Sequence, residues 1–306
     1  MKLVFMFSGQ GSQYSGMLKS AKQYPDAIDV YQRADEILGF EISRMCLTSP
    51  QEELRKTHIT QPAIFTHSIA LACVLKSYGI FPEVVVGHSI GEFAALVTAN
   101  VIGFEDALKV VEMRGTLMSR VKREGTMLAI AGLNANKVNQ LCKEASEVGY
   151  SDISLHNTPT QYVVSGETQA VKCVENLAKQ AGAVKTTILN VSHAFHSKLM
   201  EEIESQFFAI LDEVEFNDAT VPIVLNCTAK YSTKKNEIKE DLKKQIICPV
   251  LWHQSIKLLI EEGYMDFVEV GPGRVLCGLL RNIDKGRNSY NIDSPQEMRR
   301  LKKSRT

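Results

Sequence analysis

The segment Gly87-His88-Ser89-Ile90-Gly91 has the pattern of a serine nucleophile held on a sharp turn. The β-branched run 84–86 precedes it, as expected of a strand, and the run 92–97 follows it, as expected of a helix. A Gly-x-Ser-x-Gly segment in that setting forms a nucleophile elbow, in which the serine hydroxyl lies exposed beside free amide groups at the start of the helix. A tight turn with a solvated serine is the alternative, but the flanking strand and helix favour a nucleophilic Ser89.

A serine nucleophile needs a general base, and the segment 192–197 offers two histidines, His193 and His196. The segment follows a predicted strand at the edge of a cleft between two predicted subdomains, where a base can face the elbow. Two histidines three residues apart are equally compatible with a pair packed inside a loop. The residue types alone leave both interpretations open.

Arg114 lies among apolar positions of a predicted helix over 104–122. The apolar residues of that helix recur at spacings of three and four, at Ala107, Val110, Val111, Met118 and Val121. A guanidinium on a buried face is costly unless an anion or hydrogen-bond acceptor meets it. The partner is either a buried Asp or Glu of the protein or the carboxylate of a bound substrate, which arginine grips with two parallel hydrogen bonds.

Strand and helix signals alternate along the chain, which predicts an α/β fold with a largely parallel sheet. We expect an α/β-hydrolase-like catalytic subdomain formed by residues 1–124 and 192–290. The β-α-β-β-α-β pattern over 125–191 predicts an inserted ferredoxin-like subdomain. Residues 291–306 contain five basic residues and are expected to be a frayed, solvated tail: Arg299, Arg300, Lys302, Lys303 and Arg305. A helix is expected over 61–78, starting near Pro62.

The composition excludes several function classes. The 35 Lys and Arg residues equal the 35 Asp and Glu residues, so no overall field attracts nucleic acid. No segment is expected to reach the length of a membrane span, and no cysteine–histidine spacing resembles a metal site. The seven cysteines lack a Cys-x-x-Cys pair, which is typical of reduced thiols in a cytoplasmic protein.

Six ordered motifs resemble the malonyl-CoA:acyl-carrier-protein transacylase family over nearly the whole chain, through about residue 283. They are Gly9-Gln10-Gly11-Ser12-Gln13, Gln61-Pro62-Ala63, the elbow, Glu112-Met113-Arg114-Gly115, His193-Ala194-Phe195-His196-Ser197 and Val270-Gly271-Pro272-Gly273. The His-Ala-Phe-His-Ser form is most similar to polyketide synthase acyltransferases, among them the discrete enzymes that act in trans. Ser8 departs from the family, which usually has proline there, and Leu251 stands where the fatty-acid enzyme carries glutamine.

The resemblance implies a role for each motif. Ser89 would be acylated by malonyl-CoA, with His196 as base and the backbone amides of Gln10 and Ile90 as oxyanion hole. The backbone carbonyl of Leu251 would orient the base. Arg114 would hold the malonyl carboxylate, and five further residues are expected to bind substrate: Gln61, His88, Asn157, His193 and Phe195. Phe195 is the usual sign of a pocket that prefers malonyl to methylmalonyl groups.

The implied reaction is transfer of a malonyl-type unit from coenzyme A to the phosphopantetheine thiol of an acyl carrier protein, for polyketide or fatty acid synthesis. The resemblance implies no bound cofactor, and we expect a monomer. The alternative is an acyl hydrolase that clears stalled groups from carrier proteins, since such relatives share the elbow but usually lack the arginine. A non-catalytic docking subunit is disfavoured by the presence of both Ser89 and His196.

Overall fold

The computed structural model describes residues 2–191 and 193–304. Its strands are β1 (Leu3–Phe7), β2 (Val84–Gly87), β3 (Thr126–Ala131), β4 (Ser151–Thr158), β5 (Gln161–Gly166), β6 (Lys185–Ile188), β7 (Ile223–Val224), β8 (Tyr231–Ser232), β9 (Asp266–Val270) and β10 (Asn288–Asn291). The first α-helices are α1 (Leu18–Ala21), α2 (Pro25–Leu38), α3 (Ile42–Thr48), α4 (Gln51–Leu54), α5 (Thr57–Ser77), α6 (Gly91–Thr98) and α7 (Phe104–Ser119). They are followed by α8 (Ala135–Glu144), α9 (Thr168–Gln180), α10 (Glu204–Asp212), α11 (Lys235–Lys244), α12 (Trp252–Glu261), α13 (Val275–Ile283) and α14 (Pro295–Lys303). Two 3₁₀ helices span Ala145–Glu147 and Lys198–Ile203.

The larger sheet has the strand order β10-β9-β1-β2-β7-β8, and all its pairs are parallel except β7 with β8. Strand β1 is buried along its whole length because helices cover both faces of the sheet. Leu3, Phe5 and Phe7 join the core on one face, whereas Val4 and Met6 join the core on the other. This two-sided burial explains why β1 is a continuous apolar run rather than an alternating one.

The smaller sheet is antiparallel with the order β4-β5-β3-β6. Its core is a separate cluster in which residues of α8 and α9 pack on the sheet. The order of elements and of strands is that of a ferredoxin-like unit. The predicted α/β fold with a parallel main sheet and a second, ferredoxin-like sheet is therefore confirmed. The exact subdomain boundaries stay a prediction, and residue 192 lies outside the described residues.

Backbone hydrogen bonds join β4 of the smaller sheet to the segment before α12. Val250 donates its N–H to the Ser154 carbonyl at 2.9 Å and accepts from the His156 N–H at 2.9 Å. Leu155 and Val250 thus form a parallel bridge. This bridge fixes the smaller sheet against the segment that leads into α12.

Helix α5 differs from its prediction in two respects. It begins at Thr57, so that Pro62 lies inside the helix, where it cannot donate the usual backbone bond to the residue four positions earlier. By length and composition the helix could also cross a membrane, contrary to expectation. The sequence did not suggest this because polar Thr, Gln and His residues divide the apolar positions of the helix. In the structure, 78% of its most apolar window is buried inside the protein. It is the central helix of a core, packed between α2 and α7.

The expectation of a frayed basic tail is wrong for residues 291–304. Asn291 ends strand β10, and α14 follows with its start capped by the Ser294 side chain, which accepts from the Glu297 N–H. Met298 and Leu301 are buried in the main core. The basic residues lie on the same helix as these two anchors, so the charge run is the polar side of an amphipathic helix. Arg305 lies outside the described residues.

Candidate active site

Ser89 lies on a sharp turn between β2 and α6, as predicted. Its φ of 52° is in the left-handed region, which is strained for a residue with a side chain. The Ser89 N–H donates to Asn226 Oδ1 at 2.8 Å, and Asn226 Nδ2 donates to the Gly87 carbonyl at 2.7 Å. A Cβ on Gly91 would lie 2.1 Å from the Phe7 carbonyl oxygen. The turn is therefore held by Asn226 and needs glycine where α6 passes β1.

His196 is the histidine that faces the elbow. Its Nε2 lies 2.7 Å from Ser89 Oγ, and its Nδ1 lies 2.7 Å from the Gln245 carbonyl oxygen. Because a carbonyl only accepts, Nδ1 carries the proton and the Nε2 lone pair faces the serine hydroxyl. Burial, reinforced by the positive charge of Arg114, lowers the pKa of His196 to about 3. His196 is thus a neutral imidazole at physiological pH, ready to accept a proton.

His193 does not join this pair. It packs beside Phe195, with ring centroids 6.4 Å apart, and its buried Nδ1 has no hydrogen-bond partner within the described part of the chain. The sequence left two roles open for the histidines of segment 192–197, a base facing the elbow or a ring packed in a loop, and the structure assigns one role to each. His196 faces the nucleophile, and His193 is a ring packed in the loop.

The expectation that the Leu251 carbonyl orients the base is wrong. Gln245, immediately after α11, supplies that carbonyl. A residue at the carboxyl end of a helix has a carbonyl with no helical partner, so it is free to accept from an imidazole. The Leu251 carbonyl instead accepts from the Ser255 N–H and hydroxyl in the first turn of α12, both at 3.0 Å.

Arg114 is 1% exposed, and its guanidinium reaches the nucleophile. Nη1 donates to Gln61 Oε1 at 2.7 Å, and Nη2 donates to Gln245 Oε1 at 2.8 Å and to Ser89 Oγ at 3.3 Å. Among residues 2–191 and 193–304 it forms no salt bridge with a carboxylate, and its Nε has no partner. Burial lowers its pKa to about 10, with Glu92 opposing the shift, so the group is still charged at neutral pH. The structure does not support the internal ion pair, and the cation remains available to an anionic ligand.

Three residues that the sequence analysis did not single out hold this arrangement together: Asn226, Gln245 and Glu92. Gln245 Nε2 donates to the Ser89 carbonyl at 3.0 Å and also to the Glu92 carboxylate. Glu92 Oε1 accepts from the Asn226 N–H at 3.0 Å, and burial raises the pKa of Glu92. A charged residue at the start of an otherwise apolar helix was the available signal for Glu92. Gln245 and Asn226 offered no comparable signal because both lie in irregular segments.

The predicted oxyanion hole lies where two loops meet. No hydrogen bond from the backbone N–H of Gln10 or Ile90 occurs among those formed by the described residues. A Cβ on Gly9 would lie 2.7 Å from the His88 carbonyl oxygen, so glycine there lets the first loop approach the elbow. Two amides free to donate beside a nucleophile fit an oxyanion hole, and that role stays a prediction.

Most of the predicted site residues line one cavity of about 70 Å³. It is lined by Gln10, His88, Ser89, Arg114, Met118, Met127, Leu155, Leu189, Val191, Phe195 and His196. Met127 and Leu155 come from the smaller sheet, so both sheets contribute to the wall. Gln61 supports the cavity through Arg114, and Asn157 does so through His88, whose Nε2 lies 2.9 Å from Asn157 Oδ1. Within the described ranges, no group of three His, Cys, Asp or Glu residues could hold a metal ion.

Comparison with known proteins matches this chain to one family. The family described as acyl transferase domain matches residues 4–298. The chain is 38% identical over 299 residues to the malonyl CoA-acyl carrier protein transacylase of Bacillus subtilis (strain 168), covering 96% of this chain and 94% of that protein. It is also 38% identical to the protein of the same name from Haemophilus influenzae, covering 92% of each.

Solved structures agree over the whole length. The structure of the malonyl CoA-acyl carrier protein transacylase from Coxiella burnetii has a TM-score of 0.96 and 32% identity, covering 99% of this chain and 97% of that one. A type II PKS acyl-carrier protein in complex with its malonyl-transacylase gives a TM-score of 0.96 and 32% identity, covering 99% and 100%. With Ser89, His196 and Arg114 gathered around one cavity and this similarity along the chain, the protein belongs to the acyl transferase domain family.

Proposed function

We propose that this protein transfers a malonyl group from coenzyme A to the phosphopantetheine thiol of an acyl carrier protein through a Ser89 acyl-enzyme. The observation that carries the proposal is the buried Arg114 guanidinium, which shares a cavity with the nucleophile and its base and forms no salt bridge with a carboxylate of the described residues. A malonyl group has a thioester carbonyl to be attacked and a free carboxylate to be held. The names of the relatives support the same substrate and acceptor.

The first half-reaction loads the enzyme. His196 Nε2 takes the proton from Ser89 Oγ as the oxygen attacks the thioester carbonyl. The carbonyl oxygen becomes an oxyanion, which the amides of Gln10 and Ile90 are placed to stabilise. The carbon–sulfur bond then breaks, and the departing coenzyme A thiolate takes the proton back from His196.

The second half-reaction repeats these steps with a different thiol. His196 removes the proton from the phosphopantetheine thiol, whose sulfur attacks the serine ester, and Ser89 leaves with the proton that His196 returns. A thioester and a serine ester are close in energy, so the exchange is reversible when water is kept away from the ester. The apolar walls of the cavity, including Met118, Met127 and Phe195, exclude water from the acyl group.

The cavity favours a short diacid. The cavity is small, about 70 Å³, and Phe195 forms part of its wall beside the base. Arg114 retains one hydrogen-bonding group, Nε, that no described residue accepts from. A carboxylate held by the Arg114 guanidinium would orient the thioester toward Ser89. Malonyl is therefore the preferred group over acetyl and over bulkier malonyl derivatives.

The alternative of an acyl hydrolase has no support from the comparisons, in which the relatives carry transacylase names. It also leaves the buried Arg114 without a function. We place the reaction in the cytoplasm, where malonyl-CoA and carrier proteins meet and where the seven free thiols stay reduced. The chemistry needs only side chains and backbone amides, so we propose that no cofactor takes part. The product serves fatty acid or polyketide synthesis.

Intact-mass measurement with a panel of acyl-CoA donors tests the proposal. Malonyl-CoA should add one malonyl group to the protein, mapped to Ser89, and Ser89→Ala should add none. Arg114→Ala should lose malonyl loading by roughly one to two orders of magnitude and gain relative tolerance for acetyl-CoA, since a charged hydrogen-bond pair is lost. Arg120→Ala, an exposed arginine at the end of the same helix, is the matched control and should load normally. Unchanged malonyl loading in Arg114→Ala would refute the carboxylate clamp.

A further inference from the structure

A second cavity, larger than the catalytic one, lies at the opposite end of the main sheet. Its volume is about 330 Å³, within the range of about 300–1,000 Å³ that is typical of ligand sites. Within the described part of the chain, the two cavities have no lining residue in common. Phe81 and Pro82 precede β2 and line the second cavity, whereas Ser89 follows the other end of that strand. The second cavity therefore needs an explanation other than the reaction at Ser89.

One face of helix α5 forms a long wall of this cavity. Its lining residues Ile69, Ala72, Cys73 and Lys76 have the spacing of side chains that share one helical face. The helix rises about 10 Å over these positions, so the cavity extends along two turns. Ile69 is buried and Lys76 is exposed, so one end is closed and the other opens to solvent. The cavity can therefore hold an extended chain that enters beside Lys76.

Most of the other lining side chains are apolar. Phe5 and Ile80 are buried parts of the main core, whereas Phe81 is 58% exposed at the open side. An apolar chain that covers these side chains removes their surface from water, which is favourable in proportion to the area covered.

The uncharged polar side chains of the lining already have partners in the protein. The Thr98 hydroxyl donates to the Ala94 carbonyl at 2.8 Å. The Thr220 hydroxyl donates to the Ala99 carbonyl at 3.1 Å and accepts from Asn100 Nδ2 at 3.0 Å. These groups therefore need no hydrogen bond from a ligand.

Lys76 is the only charged residue among the described residues that line this cavity. Its ammonium group forms no salt bridge with a carboxylate of residues 2–191 or 193–304. Asp26 and Asp29 line a neighbouring groove, which has only Cys73 in common with this cavity. A cation at the open end of an apolar cavity complements a ligand with an anionic head group and an apolar tail.

We propose that this cavity binds an unbranched fatty acid, with the carboxylate beside Lys76 and the acyl chain along α5 toward Ile69. The carboxylate stays at the surface, where water and Lys76 solvate it, so no charge is buried. The chain fills the apolar interior of the cavity.

Calorimetric titration with fatty acids below their micelle concentrations tests the proposal. Each additional methylene from hexanoate to decanoate should tighten binding about fourfold, which is the effect of burying one CH₂ group. Decanol, which has the same chain without the charge, should bind about two- to fivefold more weakly than decanoate, since an exposed ion pair contributes little more.

Variants of two lining residues separate the roles of charge and space. Lys76→Gln should weaken decanoate binding about two- to fivefold. Ala72→Phe should weaken it on the order of tenfold or more, because the ring displaces at least two methylenes, and circular dichroism shows whether it folds. Lys109→Gln, an exposed lysine on α7 outside the cavity, is the matched control and should bind decanoate normally. Arg114→Ala should also bind it normally, since the ligand does not occupy the catalytic cavity.

Alkylation of Cys73 locates the ligand in the original chain. Cys73 is partly exposed and lines the cavity, so decanoate at about ten times its dissociation constant should slow its reaction with iodoacetamide about tenfold. Cys173, a partly exposed thiol on α9, is the internal control and should react at an unchanged rate. Peptide mapping measures both thiols in the same sample.

Three results would overturn the proposal. They are an affinity that does not increase with chain length, equal affinities for decanol and decanoate, and alkylation of Cys73 at the same rate with and without decanoate. Loss of decanoate binding in Arg114→Ala would also contradict it, because the fatty acid would then occupy the catalytic cavity. None of these measurements needs acyl transfer, so they stand apart from the proposed transacylase activity.

Discussion

Arg114 and His196 act on each other as well as on a substrate. The guanidinium donates to Ser89 Oγ at 3.3 Å, while the same oxygen lies 2.7 Å from His196 Nε2. A fixed positive charge beside an imidazole opposes a second positive charge, so Arg114 helps to keep His196 neutral. A bound malonyl carboxylate would offset the charge of Arg114. The imidazolium that forms during attack is therefore less unfavourable with the correct substrate than in the empty site.

The rate of Ser89 loading should not break near pH 6.5, the ordinary pKa of histidine. Burial, then Arg114, lowers the pKa of His196 to about 3, and only the unprotonated ring accepts the serine proton. Activity is lost only as pH falls through that lowered pKa, so the single-turnover rate should be flat between about pH 5 and pH 8. Rapid-quench loading with mass detection measures it, with circular dichroism at each pH to exclude unfolding. A tenfold fall centred near pH 6.5 would contradict the assignment.

The elbow depends on the packing of α6 against β1 as well as on the local turn. Strand β1 runs beside β2, and helix α6 starts so close to β1 that Gly91 passes the Phe7 carbonyl without space for a side chain. Gly87 is equally confined, since a Cβ there would lie 2.2 Å from the Glu92 nitrogen. The two glycines of the pentapeptide therefore serve packing, and Ser89 carries the strained φ itself.

Gly91→Ala should destabilise the protein by about 1–3 kcal/mol or more, because backbone of β1 or α6 must move to admit the methyl group. Gly278→Ala is the control: it lies in helix α13, and apart from its chain neighbours and the helix backbone around it, no atom of residues 2–191 or 193–304 lies within 4 Å of the added Cβ. It should stabilise the protein by about 0.5–1 kcal/mol. Urea unfolding followed by circular dichroism gives both values. Equal stability of the two variants would show that the elbow is not tightly packed.

At the scale of the whole molecule, Asp293 ties the carboxyl-terminal segment to the rest. Its carboxylate accepts from His67 Nε2 at 3.0 Å, from the Tyr14 hydroxyl at 2.8 Å and from the Gly273 N–H at 2.9 Å. The Ser20 hydroxyl is a further donor, and Tyr31 hydrogen-bonds the other nitrogen of His67. One buried side chain thus joins the loop that follows Gln10, helix α5, the turn after β9 and the start of α14.

Asp293→Ala should reduce the free energy of unfolding by about 3–5 kcal/mol, since it leaves several buried donors without an acceptor. Limited proteolysis should also cut near α14 earlier than in the original chain, because the segment loses its attachment. Asp284→Ala removes a carboxylate that pairs with Arg287 at the surface, and it should change stability little. A stability of Asp293→Ala equal to that of the original chain would contradict this role.

Local sequence patterns were sufficient to predict the elements in which burial recurs at regular positions along the chain. The elbow, the parallel main strands and the second sheet followed from periodicity and from the placement of glycines, because burial on one or both faces leaves a regular mark in the sequence. The helical carboxyl-terminal segment was missed because the charged residues of α14 conceal its two core anchors, Met298 and Leu301. The family resemblance identified site residues that periodicity could not identify. It nevertheless assigned the base-orienting carbonyl to Leu251, whereas the structure shows that Gln245 supplies it.

The sequence by itself determined the nucleophile, the presence of a cation on an apolar helix face and the alternation of elements, since these depend on residue type and short-range spacing. Only the tertiary structure decided which histidine faces Ser89, which carbonyl holds it and what meets Arg114. Those contacts join residues separated by 25 to 131 positions, as in Arg114 with Ser89 and Arg114 with Gln245. Contacts of that range are set by how sheets and helices pack, and no local pattern encodes them.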